Sequence, residues 1–533
     1  MNTAAIERHH IWCASVIILL AATAAWSQRF VQDDAFISFR YAENLLNGQG
    51  FVWNAGERVE GYSNFLWTLL IAGGMAAGFD PVGWSELLGI LSFAGSMAFT
   101  YAIIRRITSS SVVALVAIAA LAWNFSFRSF ATGGLETQFQ TCLFIAMGYL
   151  LLRLLNDPFP GHRALLAFSA LGSAAILTRL DSVLICIVFE TGLAMRLIRS
   201  GRSAPEITSR LAALAAPKII LILPWLLWKQ AYYGDILPNT FYLKMPGSAL
   251  RYFSQGAAYL GRFILSYWTI PLLLAGIFGI RRFFTRPDRF LQLIGVSIIC
   301  WTLYLLLIGG DFMEFRMIVP ILPFMVILTV WLLGTSIPWK PVKIGIIALL
   351  LAGSVYHEQR FEYRQAEGIE PVGQLRGHLE REDENWAGIG KMLDTLFRHD
   401  RSVTIATTAA GAIPYFSKLP TIDMLGVNEP WIARFGIPAS DIPGHQRISP
   451  LSYLLRRRVN LVLSHPLVLP VDEPVKYSLI VPVDCGTPRD SVRIMELPLG
   501  GKYKLVLWYL TPHPAIDTLI SCGRCTAYPV AMR

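Results

Sequence analysis

Charged residues are scarce in this chain. Only 15% of its 533 residues are Asp, Glu, Lys or Arg, whereas 54% are hydrophobic. A soluble globular protein has about a quarter of its residues charged. The scarcity excludes an ordinary soluble protein and predicts an integral membrane protein. The net charge of +10 is therefore interpreted through membrane topology, with Lys and Arg collecting on cytoplasmic loops, and not as a sign of nucleic-acid binding.

Motifs that would assign other functions are missing. The chain has no GxGxxG and no GxxxxGK[ST] segment, so nucleotide binding has no support. No internal repeat of a fixed short period is present. No His or Cys cluster has the spacing of a zinc site, and the sequence predicts no metal centre.

Cysteine is also rare, with seven residues in the chain. Four of them lie in apolar runs and are interpreted as small buried side chains, namely Cys13, Cys142, Cys186 and Cys300. The other three lie in the polar C-terminal region, namely Cys485, Cys522 and Cys525, of which the last two form a lone CxxC. If that region lies outside the cytoplasm, one disulfide using two of the three is expected.

Long apolar runs are plentiful. A spanning helix needs about 20 apolar residues, and by this measure the chain has about eleven spans. They are predicted near 11–27, 84–104, 111–127, 139–155, 164–178, 183–198, 211–228, 266–280, 291–308, 317–334 and 341–356. The first follows Arg8 and is interpreted as a retained signal anchor. The run 65–78 is short and glycine-rich, and we predict a re-entrant or interfacial segment there.

Charge decides the orientation of the spans. Every second loop, counted from the N-terminus, is short and basic, and such loops face the cytoplasm. The opposite set is predicted to face outwards, namely 28–64, 128–138, 179–182, 229–265, 309–316 and everything past 356. Most acids of the membrane half belong to this outer set, so any chemistry is expected on the outer face.

The composition changes after residue 356. We predict a transmembrane catalytic domain at 1–356, with 28–64 as its first outer loop, and a soluble outer domain of α/β or α+β type at 357–533. In the outer domain strands are predicted at 403–407, 419–425, 459–465, 477–481 and 503–510, and helices at 385–398 and 451–458. GAIPYFSK, between the first two strands, indicates a turn. The predicted fold class is mostly α, a polytopic helical membrane protein.

The stretch 33–67 concentrates charge directly after the first span. Its adjacent acids Asp33 and Asp34 point in different directions, so one can face a cavity while the other pairs with a neighbour such as Arg40. A carboxylate shielded from water at the membrane face has a raised pKa, which suits a general base that deprotonates a hydroxyl. The alternative is that the acids cap a helix starting near Ala35, although capping needs only one of them.

The glycine-bounded loop GERVEGYSN, residues 56–64, is a second candidate. It holds Glu57, Arg58 and Glu60 beside amide donors, which are the groups that a sugar or phosphate site needs. The alternative is a surface hairpin whose charges pair with one another.

Further charged residues fall at the outer ends of predicted spans, namely Glu136, Arg179, Asp181, Lys244, Asp311 and Arg316. The three cations could clamp a phosphate, because Arg binds phosphate oxygens with two bonds and Lys acts as a point charge. Snorkelling to the interface explains each of them singly. Several cations and acids on one face predict a polar site.

The motif of residues 33–67, DDAFISFRYAENLLNGQGFVWNAGERVEGYSNFLW, resembles that of the GT-C glycosyltransferases, closest to the branch with the mycobacterial terminal β-(1→2)-arabinofuranosyltransferases. Further matching pieces are TGGLET (132–137), TRLD (178–181), YYGDILPNTFYLK (232–244), GGDFMEFR (309–316) and AGAIPYFSKLPTIDMLG (410–426). The resemblance covers most of the chain, and its first and last motifs are the specific ones. Leu180 stands where the pattern has proline, and no Pro-Gly precedes Arg316, which weakens the transfer of arabinose specificity.

The resemblance implies a multi-span enzyme in a bacterial inner membrane, with a cytoplasmic N-terminus and its active site and C-terminal domain in the periplasm. The donor is expected to be a sugar on a polyprenyl phosphate, and the acceptor a glycan, lipid or protein that the C-terminal soluble domain would help to hold. The family's first-loop acid falls on Asp33 or Asp34, with Asp33 expected as the base of an inverting displacement. Arg179, Lys244 and Arg316 are expected to stabilise the leaving phosphate. A divalent cation near the acids is compatible with this scheme but not required.

Other functions stay open at this point. A related transferase could use a different polyprenyl-linked sugar. A transporter or flippase for lipid-linked sugars is a second class, and it predicts internal repeats and polar residues at mid-membrane. A non-catalytic envelope scaffold is a third, in which the soluble domain binds a partner.

Overall fold

The N-terminal two thirds of the chain is helical. The computed structural model describes residues 3–243, 248–285, 288–364, 368–475 and 492–529. The helices of this part are α1 Thr3–Ser27, α2 Ala35–Leu46, α3 Phe65–Ala76, α4 Pro81–Thr108, α5 Ser111–Trp123, α6 Phe125–Ser129, α7 Thr137–Asn156, α8 His162–Thr178, α9 Val183–Ile198, α10 Ala204–Pro217, α11 Leu223–Tyr233, α12 Asn239–Leu243, α13 Ala249–Ser266, α14 Ile270–Thr285, α15 Arg289–Ile308, α16 Leu322–Ser336 and α17 Lys340–Arg360. Short 3₁₀ turns at Leu180–Ser182 and Arg316–Ile321 precede α9 and α16, and a π-helical segment, Lys218–Ile222, joins α10 to α11.

Seven helical segments of the described chain are long and apolar enough to cross a membrane. They are Arg8–Ser27, Pro81–Thr108, Thr137–Asn156, Ala204–Tyr233, Arg289–Ile308, Arg316–Ser336 and Lys340–Arg360. These coincide with seven of the predicted spans, and the protein is a multi-pass membrane protein. The other four predicted spans fall on the shorter helices α5, α8, α9 and α14. The run 65–78 forms α3, an apolar helix of 12 residues.

Local sequence explains where the long helices begin and how they pack. Asp80 caps α4 by accepting a hydrogen bond from the Gly83 amide at 2.9 Å, and Pro81 occupies the first helical position. Along α4, the hydroxyls of Ser92, Ser96 and Thr100 bond back to their own helix and stay buried. Such small residues let α7 pack closely against α4.

The remaining elements form a region of mixed helices and strands. They are α18 Val372–Glu380, α19 Trp386–Phe397, β1 Ile405–Thr407, α20 Ala412–Ser417, β2 Thr421–Asp423, α21 Pro430–Phe435, β3 Ile437–Pro438, β4 Arg447–Ile448, α22 Leu451–Arg456, β5 Leu461–Pro470, β6 Arg493–Gly500, β7 Tyr503–Tyr509, α23 Pro514–Ser521 and β8 Thr526–Pro529. Six strands make one sheet in the order β2-β1-β5-β7-β6-β8. Strand β1 pairs parallel with β2 and β5, and the β5, β7, β6 and β8 pairs are antiparallel.

Four of the five predicted strands overlap β1, β2, β5 and β7, and the two predicted helices overlap α19 and α22. The fifth predicted strand, 477–481, lies outside the described residues. The prediction of a turn at GAIPYFSK was wrong, because Ala412–Ser417 forms the helix α20. Strands β3, β4, β6 and β8 were not predicted from the sequence.

Helix α2 joins the first loop to the C-terminal region. Its residues from Ala35 to Ala42 are buried, and it packs against α3 on one side and α20 on the other. The Tyr41 ring packs with Phe51 and Tyr62 of the same loop, and Ala410 of the C-terminal region belongs to that cluster. The loop 28–64 is therefore held between the membrane helices and the sheet region.

Candidate active site

A cavity of about 490 Å³ lies where the first loop and the ends of the membrane helices face the C-terminal region. Its size falls within the range of small-ligand sites. Six of the residues that the sequence singled out line it, namely Asp33, Asp34, Glu136, Arg179, Asp311 and Arg316. These side chains are separated by up to 283 positions in the chain, and the fold brings them to one place.

Asp33 connects the first loop to α20. Its two carboxylate oxygens accept hydrogen bonds from the backbone amides of Gly411 at 3.0 Å and Ala412 at 2.8 Å. These amides are free to bond it because they lie at the start of a helix, where no carbonyl of the helix can accept them. Burial raises the pKa of Asp33, and the two amide bonds oppose that shift. The carboxylate is an anchor between two parts of the chain, which argues against the expectation that Asp33 is the base.

Asp34 has the surroundings expected of a titrating group. It lines the cavity and forms no ion pair with any residue that the structure describes. Burial and the neighbouring Asp33 raise the pKa of Asp34 to about 7, and the charge of Arg316 moderates that rise. Its side chain does not cap α2, although it occupies the capping position. A carboxyl group that titrates near neutral pH is suited to proton transfer.

Glu136, Arg179 and Asp181 form a closed ion cluster. Arg179 donates from Nη1 to Glu136 at 2.7 Å, and from Nη2 to Asp181 at 2.7 Å. Glu136 also accepts a bond from Asn64 at 2.8 Å, and Gln140 donates to Asp181 at 2.8 Å. Burial raises the pKa of Glu136, but the charges of Arg179 and Arg316 outweigh it and the net shift is downward. The Arg179 charge is thus already matched by two carboxylates.

Arg316 is differently placed. Its Nε donates to Asp311 at 2.8 Å, and no described residue forms a hydrogen bond to its two Nη atoms. The preceding Phe315 has a φ of 45° and is fully buried against aromatic rings that include Tyr259 and Phe263. A bulky residue rarely adopts this backbone conformation, and such strain persists only where packing imposes it. The strained turn directs the Arg316 fork at the cavity, where an anion can bind between its nitrogens.

Five other predicted residues do not line the cavity. One is Asp181, which is bonded to Arg179 behind the cavity wall, and the others are Arg40, Glu57, Arg58 and Glu60. Arg40 is a structural brace that donates to the carbonyls of Trp53, Pro414 and Leu419 at 2.5–2.9 Å. Arg40 forms no ion pair with Asp33 or Asp34.

The charges of loop 56–64 also have other partners. Glu57 accepts hydrogen bonds from Asn54 and Arg457, and Arg58 lies over the Tyr232 ring. Glu60 is buried with Lys229 at 2.8 Å. Burial raises the pKa of Glu60 to about 7 against the opposing charge of Lys229. The loop reaches the cavity through its last four residues, 61–64, which line it.

Two predictions fall on residues outside the described part of the chain, namely Lys244 and Cys485. Cys522 and Cys525 are both free thiols, so they do not pair with each other. Within the described ranges no group of three or more His, Cys, Asp or Glu side chains is arranged to hold a metal ion. Glu136 and Asp311 are each occupied by an arginine, so they do not offer a divalent cation a free pair of carboxylates.

The C-terminal wall of the cavity carries functional groups that the sequence did not reveal. His378, Trp386, His445, His465 and Glu370 all line it. His378 and Glu370 lie in a stretch that composition marks only as hydrophilic and helical, and His465 ends a predicted strand. The three histidines lie 20 or more positions apart, so no spacing rule connects them. The one available signal was His465 itself, a polar residue that ends the apolar run VNLVLSH and could therefore mark a site at the end of a buried strand.

The fold is similar to those of two solved GT-C glycosyltransferase structures. The crystal structure of ArnT from Cupriavidus metallidurans bound to undecaprenyl phosphate superposes with a TM-score of 0.57 and 11% identity, over 96% of this chain and 100% of that one. The oligosaccharyltransferase of Archaeoglobus fulgidus in the apo form gives a TM-score of 0.50 and 9% identity, over 93% of this chain and 74% of that one.

Sequence comparison finds relatives with higher identity than these two structures. The chain is 27% identical over 413 residues to the terminal β-(1→2)-arabinofuranosyltransferase of Corynebacterium glutamicum, covering 69% of this chain and 57% of that protein. It is 27% identical over 354 residues to the protein of the same name from Mycobacterium tuberculosis, covering 58% and 54%. The chain thus spans somewhat more than half the length of these curated relatives. Residues 374–511 also match a family described as Domain of unknown function (DUF8728).

Proposed function

We propose that this protein is a membrane glycosyltransferase that moves a sugar from a polyprenyl phosphate to a hydroxyl group of a cell-envelope glycan, lipid or protein. The observation that carries the proposal is one cavity that holds the buried carboxyl group of Asp34, whose pKa burial and Asp33 raise to about 7, beside the guanidinium fork of Arg316, to whose Nη atoms no described residue is hydrogen-bonded. The names of the two curated relatives support arabinofuranose as the sugar. The lipid bound to ArnT supports the polyprenyl phosphate.

In the proposed reaction Asp34 is the general base. Its carboxylate takes the proton of the acceptor hydroxyl while the hydroxyl oxygen forms a bond to the anomeric carbon of the sugar. The bond between that carbon and the phosphate oxygen breaks, and its electron pair leaves with the polyprenyl phosphate. A single displacement of this kind inverts the anomeric configuration.

Arg316 is the proposed phosphate ligand. The leaving group is a phosphate that needs charge stabilisation more than protonation, and preorganised cations aimed at the developing charge supply it. Asp311 fixes the guanidinium from its Nε side and leaves the Nη atoms for the phosphate. Arg179 adds positive potential but is bonded to Glu136 and Asp181, so we assign it to shaping the wall. Lys244 stays a prediction as a further phosphate contact.

Asp33 has a positioning role in this proposal. Its bonds to the amides of Gly411 and Ala412 fix the backbone from which Asp34 projects. The same contact closes the cavity between the first loop and the C-terminal region. We further propose that the cavity faces the periplasm and that the N-terminus is cytoplasmic, because the basic loops lie at the opposite ends of the spans.

The donor is identified by consumption. The purified protein in lipid nanodiscs is incubated with undecaprenyl phosphates that carry arabinofuranose, mannose, glucose or galactose, together with a short arabinofuranosyl oligosaccharide as acceptor. Mass spectrometry is expected to show one donor consumed and the acceptor extended by one residue, and NMR of the product gives its anomeric configuration. If the lipid-linked sugar is not consumed but crosses the membrane of proteoliposomes, the result would favour a flippase. If the sugar is neither transferred nor transported, the result would favour a scaffold.

A further inference from the structure

The pairing of strand β5 with β7 is interrupted where β5 reaches the cavity. Val462 pairs with Trp508, but the next residue paired with β7 is Leu467, opposite Val506, so residues 463–466 form a bulge in this ladder, while Ser464 pairs with Thr407 of β1 on the other side. Ser464 at the centre of this bulge has a φ of 54° and is buried. Bulges next to active sites re-aim side chains, and a strained residue other than glycine persists only where its surroundings fix it.

The surroundings do fix Ser464. Its carbonyl accepts three hydrogen bonds, from the Thr408 amide at 2.9 Å, the Thr407 hydroxyl at 3.1 Å and the Thr408 hydroxyl at 3.2 Å. The residue that follows, His465, is the one exposed side chain in the first half of β5, and it lines the cavity. The bulge therefore presents His465 to the ligand space.

The rings around His465 set its orientation. His378 and Trp386 stack flat on each other with centroids 4.3 Å apart. The His465 ring stands perpendicular to both, 5.6 Å from Trp386 and 6.4 Å from His378. No described residue forms a hydrogen bond to either ring nitrogen of His465. The indole nitrogen of Trp386 is also buried without a hydrogen-bond partner among the described residues.

The pKa values of His378 and His465 are shifted in opposite directions. Burial lowers the pKa of His378, but hydrogen bonds to Glu370 and Glu384 outweigh it and raise the pKa to about 9. Both ring nitrogens of His378 are thus occupied by carboxylates.

Although the His465 side chain is open to the cavity, desolvation by the protein around it lowers its pKa, and the charges of His378 and His445 lower it further, against the raising effect of Glu384 and Glu370. The lowered pKa favours the neutral imidazole. One of its nitrogens donates a hydrogen bond and the other accepts one, which matches the double role of a sugar hydroxyl.

The resemblance to the GT-C glycosyltransferases already implies that the C-terminal domain helps to hold the acceptor. Within the wall built by β5, α18 and α19, we propose that His465 is the residue that binds a hydroxyl of the acceptor saccharide and so defines the acceptor subsite. The proposal rests on the transferase function above. It divides the cavity into two halves, because Asp34 and Arg316 on the membrane side serve the base and the donor phosphate. The C-terminal wall then selects a neutral, hydroxyl-rich acceptor.

The test compares His465→Ala with His465→Gln and with the control His399→Ala, which changes an exposed histidine away from the cavity. The acceptor is an arabinofuranosyl oligosaccharide and the donor is undecaprenyl-phosphoryl arabinofuranose. His465→Ala is expected to raise the KM for the acceptor roughly tenfold, which is the effect of losing about one hydrogen bond. The KM for the donor is expected to stay within about twofold, since Arg316 is untouched. His465→Gln, which keeps a donor and an acceptor group, should restore most of the acceptor affinity.

The pH profile supplies a second readout that a purely structural role would not move. Acceptor affinity of the wild type is expected to fall as the pH drops below the lowered pKa of His465, and this fall should vanish in His465→Gln. Saturation-transfer NMR of the oligosaccharide on the Asp34→Asn protein measures binding without turnover. Unchanged acceptor KM and unchanged saturation transfer in His465→Ala would overturn the subsite even if the wild type transfers sugar. Absence of transfer by the wild type with every donor would instead overturn the function itself.

Discussion

Replacing Gly411 by alanine tests whether the contact between the first loop and α20 builds the active site. A Cβ atom at residue 411 would lie 1.9 Å from the carbonyl oxygen of Asp33 and 2.7 Å from its carboxyl carbon. The nearest atom belongs to the backbone, so no side-chain rotation can relieve the clash. The loop and α20 must therefore move apart.

The size of the effect follows from the bonds that are lost. Separation breaks the two amide bonds to Asp33, at 3.0 and 2.8 Å. Hydrogen bonds to a charged group are worth about 1.5–3 kcal/mol each, so the contact between the two parts weakens by about 3–6 kcal/mol. Asp34 is the next residue, and a displacement of about 1 Å in a catalytic group costs roughly a hundredfold in rate.

The assay measures sugar transfer and the midpoint of thermal unfolding in nanodiscs. Gly373→Ala is the matched control, because it lies in α18 and its added Cβ meets no atom within 4 Å. Gly411→Ala is expected to lose activity about a hundredfold and to unfold at a lower temperature than this control. Activity within twofold of Gly373→Ala would refute the positioning role of Asp33.

Three further predictions rest on the same structure. The rate of transfer is expected to fall about tenfold per pH unit below about 7, because Asp34, whose pKa is raised to about 7, must be deprotonated to act as a base. A profile of kcat/KM against pH checks this, and a flat profile down to pH 5 would exclude Asp34 as the general base. Arg316→Lys keeps the charge but loses the fork, so the KM for the donor should rise at least about tenfold, and an unchanged donor KM would remove Arg316 from the phosphate site. Lys229→Met leaves Glu60 buried without its partner at 2.8 Å and should lower the free energy of unfolding by about 3–5 kcal/mol. The double variant Lys229→Met/Glu60→Gln should recover part of that loss. Chemical denaturation measures the stability of both variants, and a Lys229→Met protein as stable as the wild type would contradict the ion-pair account.

The membrane part of the fold was largely predictable, because long apolar runs and cap residues such as Asp80 are local signals. The strands of the C-terminal region were predictable where their sequences are apolar runs, as in β5 and β7. The helix α20 was missed because glycine and proline in GAIPYFSK suggest a turn, whereas tertiary contact with Asp33 stabilises the helix start.

The candidate site was predictable on one wall only. The first-loop acids and the charged span ends stand out because charge is rare in their surroundings, and six of these residues line the cavity. Both acids line the cavity, but which of them is left without backbone amide partners depends on the docking of α20, a contact about 380 positions away in the chain, and sequence patterns do not contain it. The same holds for His465, whose direction is set by the bulge at Ser464 and its bonds to Thr407 and Thr408.

The account also predicts a trade between stability and function at Asp34. Burial and Asp33 raise its pKa from 3.8 to about 7, so the folded protein retains a proton that the unfolded chain releases. The contribution of this group to stability is therefore fully present below pH 3.8 and is lost as the pH rises through 7. Asp34→Asn cannot ionise, and at pH 8 it should unfold at a higher temperature than the wild type.

The most direct test of the central claim is the transfer rate of Asp34→Asn beside that of Asp33→Asn, with undecaprenyl-phosphoryl arabinofuranose as donor and equal amounts of folded protein. General-base catalysis contributes about 10²–10⁴-fold, so Asp34→Asn should lose at least a hundredfold in kcat while the KM for the donor is unchanged. Asp33→Asn keeps one oxygen for the amides of α20 and should retain more activity and lose stability. An Asp34→Asn protein that transfers sugar at more than a tenth of the wild-type rate would contradict the account.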